Sequence, residues 1–325
     1  MKTSFVNEQR LPLVVEPDAP SETADGLASL LALTAERGAE LRALLLDAGA
    51  LLLRGFGHPD AGEFASDFAR FVQHFSGRRP LDYIGGASPR IRLGGGVYTS
   101  TEYTSHYTLS LHNELSYNYR WPAHLYFCCV MPAAQGGETT LGDSRALLKN
   151  IDAEISQQFR SKGVRYDRNF HDGQGAAGLS WQAAYETDDR AAVEACCREG
   201  GVRFRWKPDG GLWTSQVRPA TLKHTQTGEE VWFNQADGFH PSGMDGETYR
   251  MLMQSMREDE LPLNAYFGDA TPINPAALDH IRAVMWRETA LVQWQPGDIL
   301  VLDNILTAHG RMPYTGRRKI LLAMT

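Results

Sequence analysis

His112 and Glu114, in the segment SLHNELSY, offer an imidazole and a carboxylate two residues apart. On a strand, residues i and i+2 point to one side, so both can approach the same ion. A third donor must come from a distant strand or turn, and His309, in DNILTAHGRMPYTGRRKIL, is the candidate. Two imidazoles and a carboxylate on one face of an octahedron leave three positions open. A non-haem Fe(II) centre needs those positions for a chelating co-substrate and O2. An isolated H-x-E is a weak signal in a chain with ten histidines. Glu114 adds weight, because a carboxylate facing a protein interior is costly without a cation.

The order in which further residues follow is more specific. Thr139 stands in QGGETTLGD, and Arg317 and Arg318 come after His309. This succession of H-x-[DE], GG-[DE]-T, distal His and following Arg resembles the taurine dioxygenase-like family of Fe(II)/2-oxoglutarate enzymes. The H-x-E form, with HGR-x-P after the distal ligand, is similar to the clavaminate-synthase-like branch and to SyrP-like hydroxylases found beside nonribosomal peptide synthetases. The resemblance runs from LLLRGF at 51–56 to the end of the chain. It implies a mainly β fold with flanking helices around a double-stranded β-helix, the jelly-roll or cupin-like core, with the metal at one open end. It also implies Fe(II) held by His112, Glu114 and His309, with 2-oxoglutarate and O2 as co-substrates.

In such an enzyme the far carboxylate of 2-oxoglutarate needs an anchor inside the protein. A guanidinium suits that task, since its rigid fork pairs with a carboxylate and keeps its charge when desolvated. Only one of the adjacent Arg317 and Arg318 can point inward from a strand. The family's register over RRKILLAM puts Arg318, Ile320 and Leu322 inside, and Thr139 matches the threonine that reaches the same carboxylate. The implied reaction is hydroxylation of an unactivated C–H bond, with desaturation or cyclisation available to the same ligands. Halogenation is disfavoured, because halogenases of this fold replace the carboxylate by a small residue. A zinc hydrolase would leave Thr139 and Arg318 without purpose, and the chain has no H-E-x-x-H. A cupin-like binding protein has no need of an intact triad.

The pattern departs from the taurine enzyme at Leu322, where that enzyme has a substrate-binding Arg. Together with the resemblance to SyrP-like hydroxylases, this departure implies that the substrate is an amino acid or amino-acid-derived group of secondary metabolism. Its carboxylate would be bound elsewhere, by Arg92 or Arg311, or masked as a thioester on a peptidyl carrier protein. Arg78, Arg79, Arg90 and Arg92 are available for docking a carrier. Candidate substrate contacts are Tyr98, Thr99, Ser100, Thr101 and Tyr103, with Ser116, Tyr117, Asn234 and Arg311. For Arg311 a structural salt bridge with Asp303 is the favoured expectation over lining the substrate mouth, and Asn304 is expected to hydrogen-bond near the site. His171, His224 and His240 read as ordinary loop or surface residues. His106 and His124 flank the ligand strand but lack a carboxylate at i+2.

The elements that must position these groups are legible in part. Apolar residues recur with helical spacing over 23–49 and 61–75, the latter with a stripe of Phe64, Phe68, Phe71 and Phe75. Segment 77–110 is glycine-rich and aperiodic, and reads as a long loop closing over the site as a lid. Short strands are expected in HLYFCCVM, GVRYDRNF, VRFRW, GLWTSQV, EEVWFNQ, ALVQWQ, DILVLDN and KILLAM, with helices near 144–161, 188–199, 247–258 and 276–288. No linker divides the 325 residues, so one domain is the simplest organisation.

A net charge of -7 opposes binding to nucleic acid or an anionic membrane, for which a basic face would be needed. The cysteines, Cys128-Cys129 and Cys196-Cys197, lack C-x-x-C spacing and suit a reducing compartment. The start MKTSFVNEQRLPLVVEP has no apolar signal-like core, and no eighteen-residue apolar run occurs. These features predict a cytoplasmic enzyme, with its oligomeric state open.

Overall fold

The computed structural model describes the chain apart from residues 6, 19–25, 58–63, 101–103 and 175–177. Of the expected substrate contacts, Thr101 and Tyr103 lie outside the described residues. Two sheets form the core. The larger has eight strands in the order Lys2–Phe5, Leu13–Glu16, Ala50–Leu53, Ile299–Asp303, His124–Met131, Lys319–Met324, Val97–Thr99 and Arg92–Gly94. The smaller has four, in the order Ala290–Val292, Thr139–Asp143, Thr307–Arg311 and Leu109–His112.

Side-chain alternation along the strands explains how the layers stack. Leu300, Leu302, Phe127, Ile320 and Leu322 point from the larger sheet into one apolar cluster with Leu111, Leu141 and Ala308 of the smaller. Their neighbours Val301, Tyr126, Cys128, Leu321 and Ala323 point the other way. There they pack on Leu41 and Leu45 of the helix Gly26–Ala48 and on Phe68, Phe71 and Phe75 of the helix Phe64–Ser76. Strands buried on both faces read as continuous apolar runs, as ALLL and ILVL do. The two sheets of a jelly-roll core are thus present, but among the described residues they stay separate and do not close into a barrel.

A third sheet, Arg203–Trp206, Leu212–Arg218, Val164–Phe170 and Leu263–Phe267, lies beside this core and contributes Tyr166 and Phe267 to the inner cluster. The expected helix at 144–161 is two helices, Ser144–Asn150 and Ala153–Lys162. Asp152 restarts the chain by accepting hydrogen bonds from the N–H groups of Glu154 and Ile155.

The aperiodic segment 77–110 differs most from expectation. It contains a hairpin, Arg92–Gly94 with Val97–Thr99, whose second strand extends the larger sheet by pairing Tyr98 with Leu322. Gly94, Gly95 and Gly96 all have positive φ, and a Cβ on Gly96 would lie 2.6 Å from that of Pro80. Glycine is thus required to turn the hairpin, and alternation is lost in so short a strand. No helix among the described residues is long and apolar enough to cross a membrane.

Candidate active site

The strand Leu109–His112 pairs with Thr307–Arg311 so that His112 and His309 are direct register partners. Their ring centroids lie 4.3 Å apart. Glu114 is not on the strand, contrary to the i, i+2 reasoning. It sits two residues beyond the strand end, in a turn where Leu115 adopts a φ of 56°. Asn304 supplies the constraint that the strand would have given. Its Oδ1 accepts from the Glu114 N–H at 2.7 Å, and its Nδ2 donates to the Glu114 carbonyl at 3.0 Å. Asn304 is fully buried, as expected of a residue that orients a ligand.

The three ligating groups lie within 4.8 Å of one another, with Glu114 Oε2 3.9 Å from His309 Nε2. Donors about 2.0–2.2 Å from one ion can stand no more than about 4.4 Å apart, so little closure is needed. His112 Nδ1 is 2.9 Å from the Ser110 carbonyl, which makes it the N–H donor and leaves Nε2 for a metal. Burial holds His309 far below the usual histidine pKa, with His112 and Arg90 adding to the shift. It is therefore a neutral imidazole, the form that binds metals. Buried Glu114 completes a donor set that fits a divalent ion.

The same cavity continues from His112 and His309 past Phe127 to Thr139 and Arg318. Arg318 stands one residue before its strand, donating through Nε to the Gly137 carbonyl at 3.1 Å and through Nη1 to Ser100 Oγ at 3.3 Å. It has no ion pair among the described residues. Burial, then Arg311, lowers its pKa to about 10. Thr139 is 3% exposed and its hydroxyl accepts from Trp294 Nε1 at 3.0 Å, leaving its proton to donate. Arg317 is exposed, whereas Ile320 and Leu322 join the inner cluster.

Arg90, expected at an exposed mouth, has a side chain only 3% exposed and reaches into this cavity. Its Nη2 donates to Glu114 Oε2 at 2.6 Å, while Tyr83 Oη donates to Glu114 Oε1 at 3.2 Å. Its guanidinium lies 4.2 Å from the Tyr83 ring centre. Arg92 is instead exposed, paired with Asp82 and Glu186, while Arg78 and Arg79 are exposed. The four arginines therefore do not form one surface.

Of the remaining candidates, Ser100 and Arg311 line the cavity. Arg311 donates to the carbonyls of Thr104 and Tyr107 and does not pair with Asp303. Asp303 binds His224 instead, at 3.1 Å, and that histidine is buried, not superficial. Tyr98 and Thr99 are committed to the sheet: Tyr98 Oη accepts from the Tyr83 N–H and Thr99 Oγ1 from the Ile91 N–H. Ser116, Tyr117 and Asn234 are buried to 2% exposure or less and bonded to Gln235, Gly85 and Ala220. They stiffen the scaffold behind the site. Tyr83 and Trp294 were not singled out from sequence, and Arg90 was named only for docking at the mouth, since no spacing relates them to the triad.

A family model described as taurine catabolism dioxygenase TauD, TfdA family matches residues 16–325. The chain is 36% identical over 281 residues to the dapdiamide synthesis protein DdaC of Enterobacter agglomerans, covering 86% of this chain and 83% of that one. It is 28% identical over 292 residues to a clavaminate synthase-like protein of Arabidopsis thaliana, covering 87% and 83%. Its fold is similar to that of an asparagine oxygenase solved with Fe(II), 3-hydroxyasparagine and succinate, with a TM-score of 0.53 at 13% identity, covering 96% of this chain and 93% of that one. A second similar fold is PvcB, an Fe, alpha-ketoglutarate dependent oxygenase from an isonitrile synthetic pathway, with a TM-score of 0.51 at 17% identity, covering 96% and 84%.

Proposed function

The chain belongs to the taurine catabolism dioxygenase TauD, TfdA family, and from that premise we propose that it hydroxylates an unactivated C–H bond of an amino acid or amino-acid-derived substrate. His112, Glu114 and His309 hold Fe(II), and Arg318 with Thr139 holds the far carboxylate of 2-oxoglutarate. When bound, iron and 2-oxoglutarate supply the oxidising chemistry: one O2 is consumed, one oxygen atom entering succinate as CO2 leaves, and the other entering the substrate.

The observation that carries this reading is one cavity with imidazoles at one end and, at the other, a guanidinium that has no ion pair among the described residues. Arg318 fixes the co-substrate by its charge, and Thr139, oriented by Trp294, adds a hydroxyl donor. Phe127, with its ring centre 5.3 Å from that of His309, keeps that wall of the site apolar. Asn304 holds Glu114 so that the ligand set is in place before the ion arrives. An amino-acid substrate is supported by the names of two similar proteins, a dapdiamide synthesis protein and an asparagine oxygenase. Leu322 gives no charge for a sulfonate. A hydrolase would have no use for Arg318 at this depth.

Anaerobic addition of Fe(II) and 2-oxoglutarate should give a visible metal-to-ligand charge-transfer band, lost in His309→Ala. A mass-spectrometric screen of amino acids for a gain of one oxygen then identifies the substrate. Retention of the band and of succinate formation in His309→Ala would overturn the assignment.

A further inference from the structure

We infer that Arg90 receives an anionic group of the substrate, so that the substrate is an amino acid with a free carboxylate and not one masked as a thioester or amide. The inference rests on the proposed oxygenase reading and deepens it. Three features of Arg90 coincide: its side chain is 3% exposed, it lines the cavity that His112, His309 and Arg318 share, and its Nε and Nη1 have no hydrogen-bond acceptor among the described residues. Among the described residues its one anionic contact is Glu114, through Nη2.

Charge balance makes this contact insufficient. With metal and 2-oxoglutarate bound, the two charges of the ion are met by Glu114 and the chelating carboxylate, and Arg318 is met by the far carboxylate. Arg90 then remains as a buried positive charge whose partner has been claimed by the metal. A buried cation of this kind needs an anion, and its unused N–H groups can donate to a carboxylate.

The arginine is also built into position. The Tyr83 ring lies against its guanidinium plane, and the carbonyls of Gly85 and Gly86, on the same segment, accept from Arg168 at 2.8 and 2.6 Å. Arg90 thus supplies from the near side of the cavity the charge that Leu322 does not supply from the sheet.

The test uses the full chain loaded anaerobically with Fe(II) and 2-oxoglutarate, and the twenty common amino acids, each as free acid and as primary amide. The readout is the shift of the charge-transfer band on probe binding, in the unaltered protein, Arg90→Gln and Arg90→Lys. Expected is a shift with one or a few free acids, none with their amides, binding at least a hundredfold weaker in Arg90→Gln, and partial retention in Arg90→Lys. Amides acting as well as acids, free acids binding Arg90→Gln undiminished, or no amino acid shifting the band would each overturn the proposal. Absence of the band itself in the unaltered protein would instead defeat the oxygenase reading.

Discussion

Asn304 brackets Glu114, accepting from its backbone N–H at 2.7 Å and donating to its backbone carbonyl at 3.0 Å. The carboxylate is thereby aimed by a side chain from another part of the chain. Asn304→Ala should weaken Co(II) binding by about 10–100-fold, the usual effect of losing a residue that orients a metal ligand. Titration of the metal-free protein, with circular dichroism confirming the fold, measures it. Unchanged affinity would mean that the turn at Leu115 places Glu114 unaided.

Arg318→Ala should raise the 2-oxoglutarate concentration needed for the charge-transfer band by orders of magnitude. Losing one partner of a buried charge pair costs about 3–5 kcal/mol. Arg317, exposed beside it, should be replaceable by Ala with little change. The opposite pattern would place the wrong arginine in the cavity.

Trp294→Phe keeps an aromatic side chain but removes the N–H that orients the Thr139 hydroxyl. A neutral hydrogen bond contributes about 0.5–1.5 kcal/mol, so 2-oxoglutarate affinity should fall a few-fold to about tenfold. Isothermal titration with the Fe(II)-loaded protein reads the change. A loss as large as that of Arg318→Ala would show that Trp294 supports more than a hydroxyl.

Metal-free Arg90→Gln leaves Glu114 buried without a cation, which should destabilise it by about 3–5 kcal/mol. Mn(II) supplies the missing charge and stabilises only the folded chain. The rise in melting temperature on adding Mn(II) should therefore be larger in Arg90→Gln than in the unaltered protein. Equal rises would argue that Arg90 does not stand in for the ion.

Long or strongly periodic elements were readable from sequence: the helices Gly26–Ala48 and Phe64–Ser76, and strands such as His124–Met131 whose alternate residues enter different cores. The grouping of His112, Glu114 and His309, and of Thr139 with Arg318, followed from motif order, and the structure brings each set together. What was not legible depends on contacts between distant segments. Nothing in SLHNELSY announces that Glu114 leaves the strand, because Asn304 makes that turn stable. Arg90 and Arg92 look alike in SPRIRLGG, yet one is buried on Glu114 and the other salt-bridged at the surface. The hairpin at 92–99 escaped because its strands have three residues each and its glycines mimic a loop.

The direct pairing of His112 with His309 makes the metal centre a late event in the life of the chain. A nascent polypeptide can display His112 and Glu114 early, but no complete iron site exists until the strand carrying His309 has been synthesised and has docked in register. A slip of one residue in that pairing would turn His309 to the opposite face of the sheet. Iron loading therefore reports on correct assembly, and misregistered molecules would be left without the metal and its oxidising chemistry.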